Sequence, residues 1–180
     1  VAGVELENGG KVMADSVVIN ADFAQAMSKL VPDGALKKYT TEKLKSMKYS
    51  CSTFMMHLGV KKKYDLPHHT IVFARDYKRN ITEIFNSCQE SADISFYLRN
   101  ASVTDPTLAP EGKSSLYVLV PTPNLDGSID WDEAQARYRE LAMRALAERL
   151  GMDDLEENIE VEKIYTPKTW ETELDIFKGA

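Results

Sequence analysis

The clearest hydropathy pattern in the chain runs from Ser52 to Val60. Read with a period of two, Ser52, Phe54, Met56, Leu58 and Val60 share one side, and Thr53, Met55, His57 and Gly59 the other. The first side is apolar enough to be covered by helices. The second is mixed, as expected of a wall that meets something other than a plain core. The pattern predicts a central strand of a mixed sheet, with further strands beside it.

Other segments supply those neighbours. Val1 to Leu6 and Lys11 to Met13 flank Glu7-Asn8-Gly9-Gly10, and Asn-Gly between two strand-like runs predicts a type I′ hairpin. Ser16 to Ile19 is a β-branched run that reads as a strand buried on both faces, of the kind found in parallel sheets. Asp22 is placed to cap a helix from Phe23 to Leu30, which Pro32-Asp33-Gly34 ends. Leu36 to Met47 reads as a Lys-rich helix whose charges form a solvated face, with contact to a membrane surface as the sharper alternative. Further strands are expected at Thr70–Ala74, Ile94–Arg99, Ser115–Pro121 and Ile159–Tyr165, with a short helix at Asn80–Asn86.

The strongest helix opens at Asp130, where Asp130 and Glu133 have capping-box spacing. Its stripe is Trp131, Ala134, Tyr138, Leu141, Ala142, Ala145 and Leu150, and Gly151 is placed to end it. A last helix starts at Pro167 and runs through Trp170 and Leu174.

Composition narrows the class. The chain has 180 residues, 43% of them hydrophobic and 28% charged, which describes an ordinary globular protein of one domain, or one domain and part of another. The net charge of -6 argues against nucleic acid as a partner, because phosphate binding needs a basic stripe. Cys51 and Cys88 lie in no metal-ligand spacing and read as reduced thiols. No apolar run approaches the ~18 residues of a spanning helix. With no initiator Met, and Val1 to Leu6 reading as a strand already under way, the chain is expected to be part of something longer.

Candidate chemistry is sparse. No Gly-rich phosphate loop and no nucleophile elbow is present. His68-His69 are adjacent, and adjacent strand residues point to opposite faces, so a shared metal is not expected of them. His57 reads either as a polar group lining a cavity or as one satisfied by a backbone carbonyl. Asp105 before Pro106 reads as a turn former, with a functional carboxylate as the sharper alternative; Arg75-Asp76 and Arg99 read as surface-paired, with binding of an acidic group as theirs. The seven Met residues read mostly as core filling. Phe54, Phe73, Phe96, Tyr97 and Tyr117 either fill the core or line a pocket for a lipophilic ligand. The residues alone thus reach an α+β domain with a possible ligand-facing sheet.

Several segments taken together resemble a known family. Gly3-Val4-Glu5-Leu6-Glu7-Asn8-Gly9-Gly10 followed by Ala14 to Asp22 is similar to the stretch that re-enters the flavin domain in phytoene desaturases. Ser52 to Val60, Leu66 to Phe73, Thr104-Asp105-Pro106 through Gly112, Leu116 to Pro121, and Tyr165-Thr166-Pro167 with Trp170 resemble the same family's substrate domain, in the same order.

The resemblance implies an FAD-dependent carotenoid desaturase or isomerase acting on an apolar polyene drawn from membranes. It implies an α+β fold: a mixed, largely antiparallel sheet with helices on one face, preceded by a hairpin and a strand of a missing FAD-binding domain. Residues 1–22 would be the tail of that FAD-binding domain. Residues 23–180 would be the substrate-binding domain, truncated before the segment that closes over the flavin.

Asn20, Ala21 and Asp22 would sit at the cofactor, and Thr53, Met55 and His57 would line the substrate. FAD would belong to the full-length parent and not to this segment, which is expected to be inactive alone. The parent would be cytoplasmic and peripherally attached to a membrane. The resemblance carries over no catalytic acid or base, and the Gly-rich fingerprint expected upstream and the flavin-closing segment expected after Gly179-Ala180 are both absent from this sequence. Two other readings stay open: the substrate domain of another flavin oxidase with an apolar substrate, and a stand-alone lipid-binding or interaction module.

Overall fold

A computed structural model describes residues 2–32 and 34–180. The expected strand start at Val1 and the Asp33 of the helix stop lie outside the described residues. The chain divides into two compact units, with the break between Met47 and Lys48.

In the first unit, β1 (Gly3–Glu5) pairs antiparallel with β2 (Lys11–Met13). The turn between them is not type I′. Gly9 alone in it has positive φ, and the Asn8 carboxamide accepts the Gly10 N–H at 3.0 Å, closing the loop from the side chain. The expected strand at Ser16–Ile19 does not form. No described strand pairs with it, and Val18 is 91% exposed, so its β-branched residues have neither a ladder nor a core to join. Asp22 caps α1 (Phe23–Lys29) through the Gln25 N–H at 2.9 Å. The expected helix at 36–47 shrinks to α2 (Thr41–Ser46), because Thr40 accepts the Lys43 N–H and starts it there. Phe23 and Tyr39 meet edge to face at 5.0 Å.

The second unit is built on five strands: β3 (Ser52–Val60), β4 (His69–Val72), β5 (Phe96–Asn100), β6 (Ser114–Thr122) and β7 (Ile159–Tyr165). Their spatial order is β4-β5-β6-β3-β7, and every ladder is antiparallel. The middle position belongs to β6, while β3 lies one strand from the edge. The two nine-residue strands β3 and β6 pair along their whole length, from Ser52 opposite Thr122 to Val60 opposite Ser114. The β3–β7 ladder runs regularly from Met55 opposite Tyr165 to Gly59 opposite Val161. It then shifts, so that Val60 faces Ile159 and Glu160 is skipped.

One face of the sheet is covered. Phe54, Met56, Leu58, Val60, Phe96, Leu98, Leu116, Val118 and Val120 bury against α4 (Trp131–Leu150). The helix presents Trp131, Ala134, Tyr138, Ala142 and Leu146, with Leu141, Ala145 and Leu150 partly buried beside them. Phe54 and Tyr138 rings lie 5.7 Å apart. Each fully buried apolar side chain contributes about 1.5–3 kcal/mol of transfer free energy, so this face dominates the stability of the unit. Asp130 caps α4 through the Asp132 N–H at 3.0 Å. Gly151, at φ 67°, ends it in the left-handed conformation that a glycine adopts without strain.

The expected helix at 80–86 begins earlier, as α3 (Tyr77–Thr82), because Asp76 caps it through the Arg79 N–H. One π turn at Glu83–Ser87 follows. A short α5 (Leu155–Asn158) precedes β7, and α6 (Pro167–Leu174) follows it under a Thr166 capping box.

Buried polar side chains tie the loops to the sheet. Asn100, fully buried, donates to the carbonyls of Tyr64 and Leu66 at 3.1 and 3.3 Å. Ser52 donates to the Gly179 carbonyl, which holds the last residues against β3.

Candidate functional site

The strands' other side chains form a second sheet face that is only partly covered, and the antiparallel register sorts them into rows. One row crosses all five strands: His69, Arg99, Tyr117, His57 and Lys163, each directly opposite the next. Two residues along each strand lies a second row: Ile71, Tyr97, Leu119, Met55 and Tyr165. On the other side of the first row, Ser115, Gly59 and Val161 make a third, low row. Strand spacing makes the full rows ~19 Å long and sets adjacent rows roughly 7 Å apart. The face therefore has a cationic, imidazole-bearing lane flanked by an apolar lane and a trough.

Aromatic rings link the lanes. His57 lies 5.7 Å from Tyr117 and 5.6 Å from Tyr165. Tyr117 meets Tyr97 at 5.4 Å, and Tyr97 stacks with His69 at 5.8 Å. At the β7 end, Trp170 of α6 stacks on Tyr165 at 4.8 Å. Arg99 lies over the Tyr117 ring at 5.8 Å and Lys163 over Tyr165 at 5.1 Å, both within cation–π range.

These contacts set protonation states. The His57 side chain is largely exposed, yet partial desolvation holds its imidazole below the ordinary histidine range and favours the neutral form. His68 accepts the Arg99 Nε–H at Nε2, 3.1 Å away, and Arg has no acceptor to offer in return. Its proton is therefore on Nδ1, directed at the Thr104 hydroxyl at 2.7 Å. Desolvation, then the charges of His69 and Arg99, lowers its pKa. The expectation that His68 and His69 point apart is corrected: β4 begins at His69, so His68 lies outside the pleat and the two rings stack 4.2 Å apart. No group of metal ligands is found among the described residues.

Between Arg99 and Lys163 the trough deepens into a pit of about 380 Å³, lined by His57, Gly59, Arg99, Ser115, Tyr117 and Lys163 among others. No carboxylate lines it.

Comparison with known proteins finds carotenoid desaturases. The chain is 55% identical over 178 residues to a 4,4'-diapophytoene desaturase (4,4'-diapolycopene-forming) of Methylomonas sp, covering 99% of this chain. It is 40% identical to an all-trans-zeta-carotene desaturase of Myxococcus xanthus, again over 99% of the chain. It is also 38% identical to a 4,4'-diapophytoene desaturase of Staphylococcus aureus over 91% of it.

The chain is a homologue of the carotenoid desaturases.

It spans about a third of the length of these relatives, 35%, 34% and 34% respectively. No protein-family model matches it.

The residues singled out from the sequence fall in two places. Thr53, Met55 and His57 share the partly covered face, where Met55 belongs to the apolar lane, His57 to the cationic lane and Thr53 to the end nearest Trp170. Asn20, Ala21 and Asp22 belong to the first unit, immediately before α1. Asn20 and Ala21 are exposed, and the Asp22 carboxylate is committed to the helix cap. A carboxylate at a helix N-terminus repels phosphate, and the described residues offer no glycine-rich cradle, so these three do not by themselves fit a dinucleotide.

Of the five aromatics considered, Phe54 and Phe96 are core, Tyr97 and Tyr117 line the face, and Phe73 is 58% exposed beyond the end of β4. Asp105 is the expected turn former, accepting the Thr107 N–H at 3.0 Å. Sequence reasoning missed Lys163 and Tyr165 as site residues, and offered Arg99 only as an alternative, a cation able to bind an acidic group. Their signal was available as alternation within β5 and β7, but only the register shows that they stand in line with His57.

Proposed function

We propose that this chain is the substrate-side part of a carotenoid desaturase, and that its partly covered sheet face is the wall along which an acyclic polyene lies. The observation that carries this reading is the apolar lane Ile71–Tyr97–Leu119–Met55–Tyr165, which runs unbroken across five strands beside a row of rings. A core sheet face would be covered by a second layer, and a solvated one would be polar. A half-covered lane of this composition suits an elongated hydrocarbon. Thr53, Met55 and His57 are then substrate-lining, and Met55, an adaptable thioether, suits a ligand that slides.

The redox partner in this reading is FAD held by further parts of the parent enzyme, with Asn20, Ala21 and Asp22 as the flavin-side edge of the first unit. No reaction step is assigned to side chains of this chain, which is proposed to be inactive by itself. A polyene of this kind is insoluble in water and would arrive from a membrane. No helix among the described residues is long and apolar enough to cross one.

The test is binding of lycopene, delivered in detergent micelles to a Trp131→Phe background so that Trp170 alone reports by fluorescence quenching, with a Leu119→Arg variant of the chain alongside. Saturable quenching that Leu119→Arg abolishes and Gln135→Arg on the exposed side of α4 leaves intact supports the reading. Equal quenching in both variants, or none in the parent chain, overturns it.

A further inference from the structure

We infer that the pit between Arg99 and Lys163 is a binding site for the carboxylate end of an elongated apolar ligand, whose hydrocarbon body lies in the adjoining apolar lane. The inference rests on the reading of that lane as the ligand wall and adds what the wall does at one point along it.

A hydrocarbon has no use for the composition of the pit. Beside apolar side chains, its lining carries Arg99, Lys163, His57, Tyr117 and Ser115. The register places Arg99, Tyr117, His57 and Lys163 in a single line, so the two cations stand on either side of the imidazole, three strand spacings or ~14 Å apart at the backbone. Both side chains are long enough to lean toward a group held above His57. Gly59, also in the lining, has no side chain. A Cβ built there would meet only Val161, at 3.5 Å and beyond, so the depression is real space.

The positive charge of the pit is not neutralised locally. The Nε of Arg99 is used by His68, and no carboxylate pairs with its guanidinium among the described residues. Lys163 has one acidic neighbour, Glu173, at 3.7 Å with both side chains about half exposed, a loose pair that water can replace. The neighbouring β7 carboxylates point elsewhere: Glu162 faces the covered side and is held by Arg139 at 2.9 Å, and Glu160 pairs with Lys113. His57 stays neutral and able to donate one N–H. The pit thus offers two cations and donors without an anion, the donor set that binds a carboxylate with charge-assisted hydrogen bonds. Its volume of about 380 Å³ takes a carboxylate with several carbons of chain but not a whole polyene.

Two probes of the same length separate this inference from the one beneath it: all-trans-retinoate and its methyl ester, titrated into the same Trp131→Phe chain at neutral pH and followed by Trp170 quenching. The expected result is retinoate binding roughly tenfold tighter than the ester, a margin that shrinks with added salt. Lys163→Met is expected to narrow the ratio and Lys163→Glu to invert it. Lys163 is exposed on an edge strand, so neither change threatens the fold. Retinoate and ester binding equally well in the parent chain overturns the pit while leaving the lane in place. Neither probe binding removes the lane, and the pit with it.

Discussion

Trp170 stacks on Tyr165 with ring centroids 4.8 Å apart and planes inclined by 15°, while its indole N–H reaches the Thr53 carbonyl at 2.8 Å. One side chain thus fastens α6 to two strands at the corner of the partly covered sheet face. Trp170→Phe keeps a ring there and loses the donor. The expected cost is about 1 kcal/mol, read as a lower urea midpoint. Trp170→Ala also opens a cavity and is expected to cost about 3–5 kcal/mol.

Asn100 is fully buried and donates to two carbonyls. Asn100→Ala leaves both carbonyls unpaired and is expected to cost about 1–3 kcal/mol. Asn100→Asp is nearly isosteric, yet it turns a donor into a carboxylate facing two oxygens. It is therefore expected to be the worse of the two in equilibrium unfolding, although it removes no volume.

Acid should destabilise the second unit through two imidazoles. His57 and His68 both have pKa values below the ordinary 6.5, the first from partial desolvation, the second from desolvation and the charges of His69 and Arg99. A lowered histidine pKa means that the fold prefers the neutral ring. The contribution is complete above about pH 6.5 and is lost as pH falls from there through the folded values. Ring-proton titrations by NMR should give midpoints under 6.5 for both. Between pH 7.5 and pH 5, the urea midpoint of His68→Gln should fall less than that of the parent chain.

Gly179 holds φ 62°, and a Cβ there would lie 2.2 Å from the Pro167 carbonyl oxygen. Gly179→Ala must therefore adopt a strained conformation and displace backbone as well. A loss of at least about 1–3 kcal/mol is expected, together with faster proteolysis of the last residues as the Ser52 bond to the Gly179 carbonyl breaks.

Much of this fold is legible in the sequence, because β3, β6 and α4 each carry one strong period. Ser52 to Val60 alternates so cleanly that its faces can be assigned before any partner is known. The misses have physical causes. Ser16–Ile19 has the composition of a strand, but a strand exists only with a ladder partner, and none is found for it among the described residues. The starts of α2 and α3 were misplaced because Thr40 and Asp76, ordinary polar residues in the sequence, act as caps. The site was half legible. His57 and Met55 stand on the partly covered face, as the alternation of β3 implies. That Arg99 and Lys163 flank His57 depends on the pairing of three other strands, which one sequence does not contain.

The skipped residue in β7 has a consequence for how tolerant that edge is to insertion and deletion. In unbroken register, position 160 would stand opposite Val60 on the oily side of the sheet, and a glutamate would have to be desolvated there. Because the ladder steps over it, Ile159 takes that place, and Glu160 swings out to pair with Lys113. The extra residue works as a phase correction: it lets one short strand satisfy a greasy layer at Ile159 and the cationic lane at Lys163, four residues later. Deleting Glu160 would preserve every lane residue on β7. A one-residue insertion after Val161 would reverse the order of faces upstream of it, sending Val161 toward the helix and Ile159 toward water.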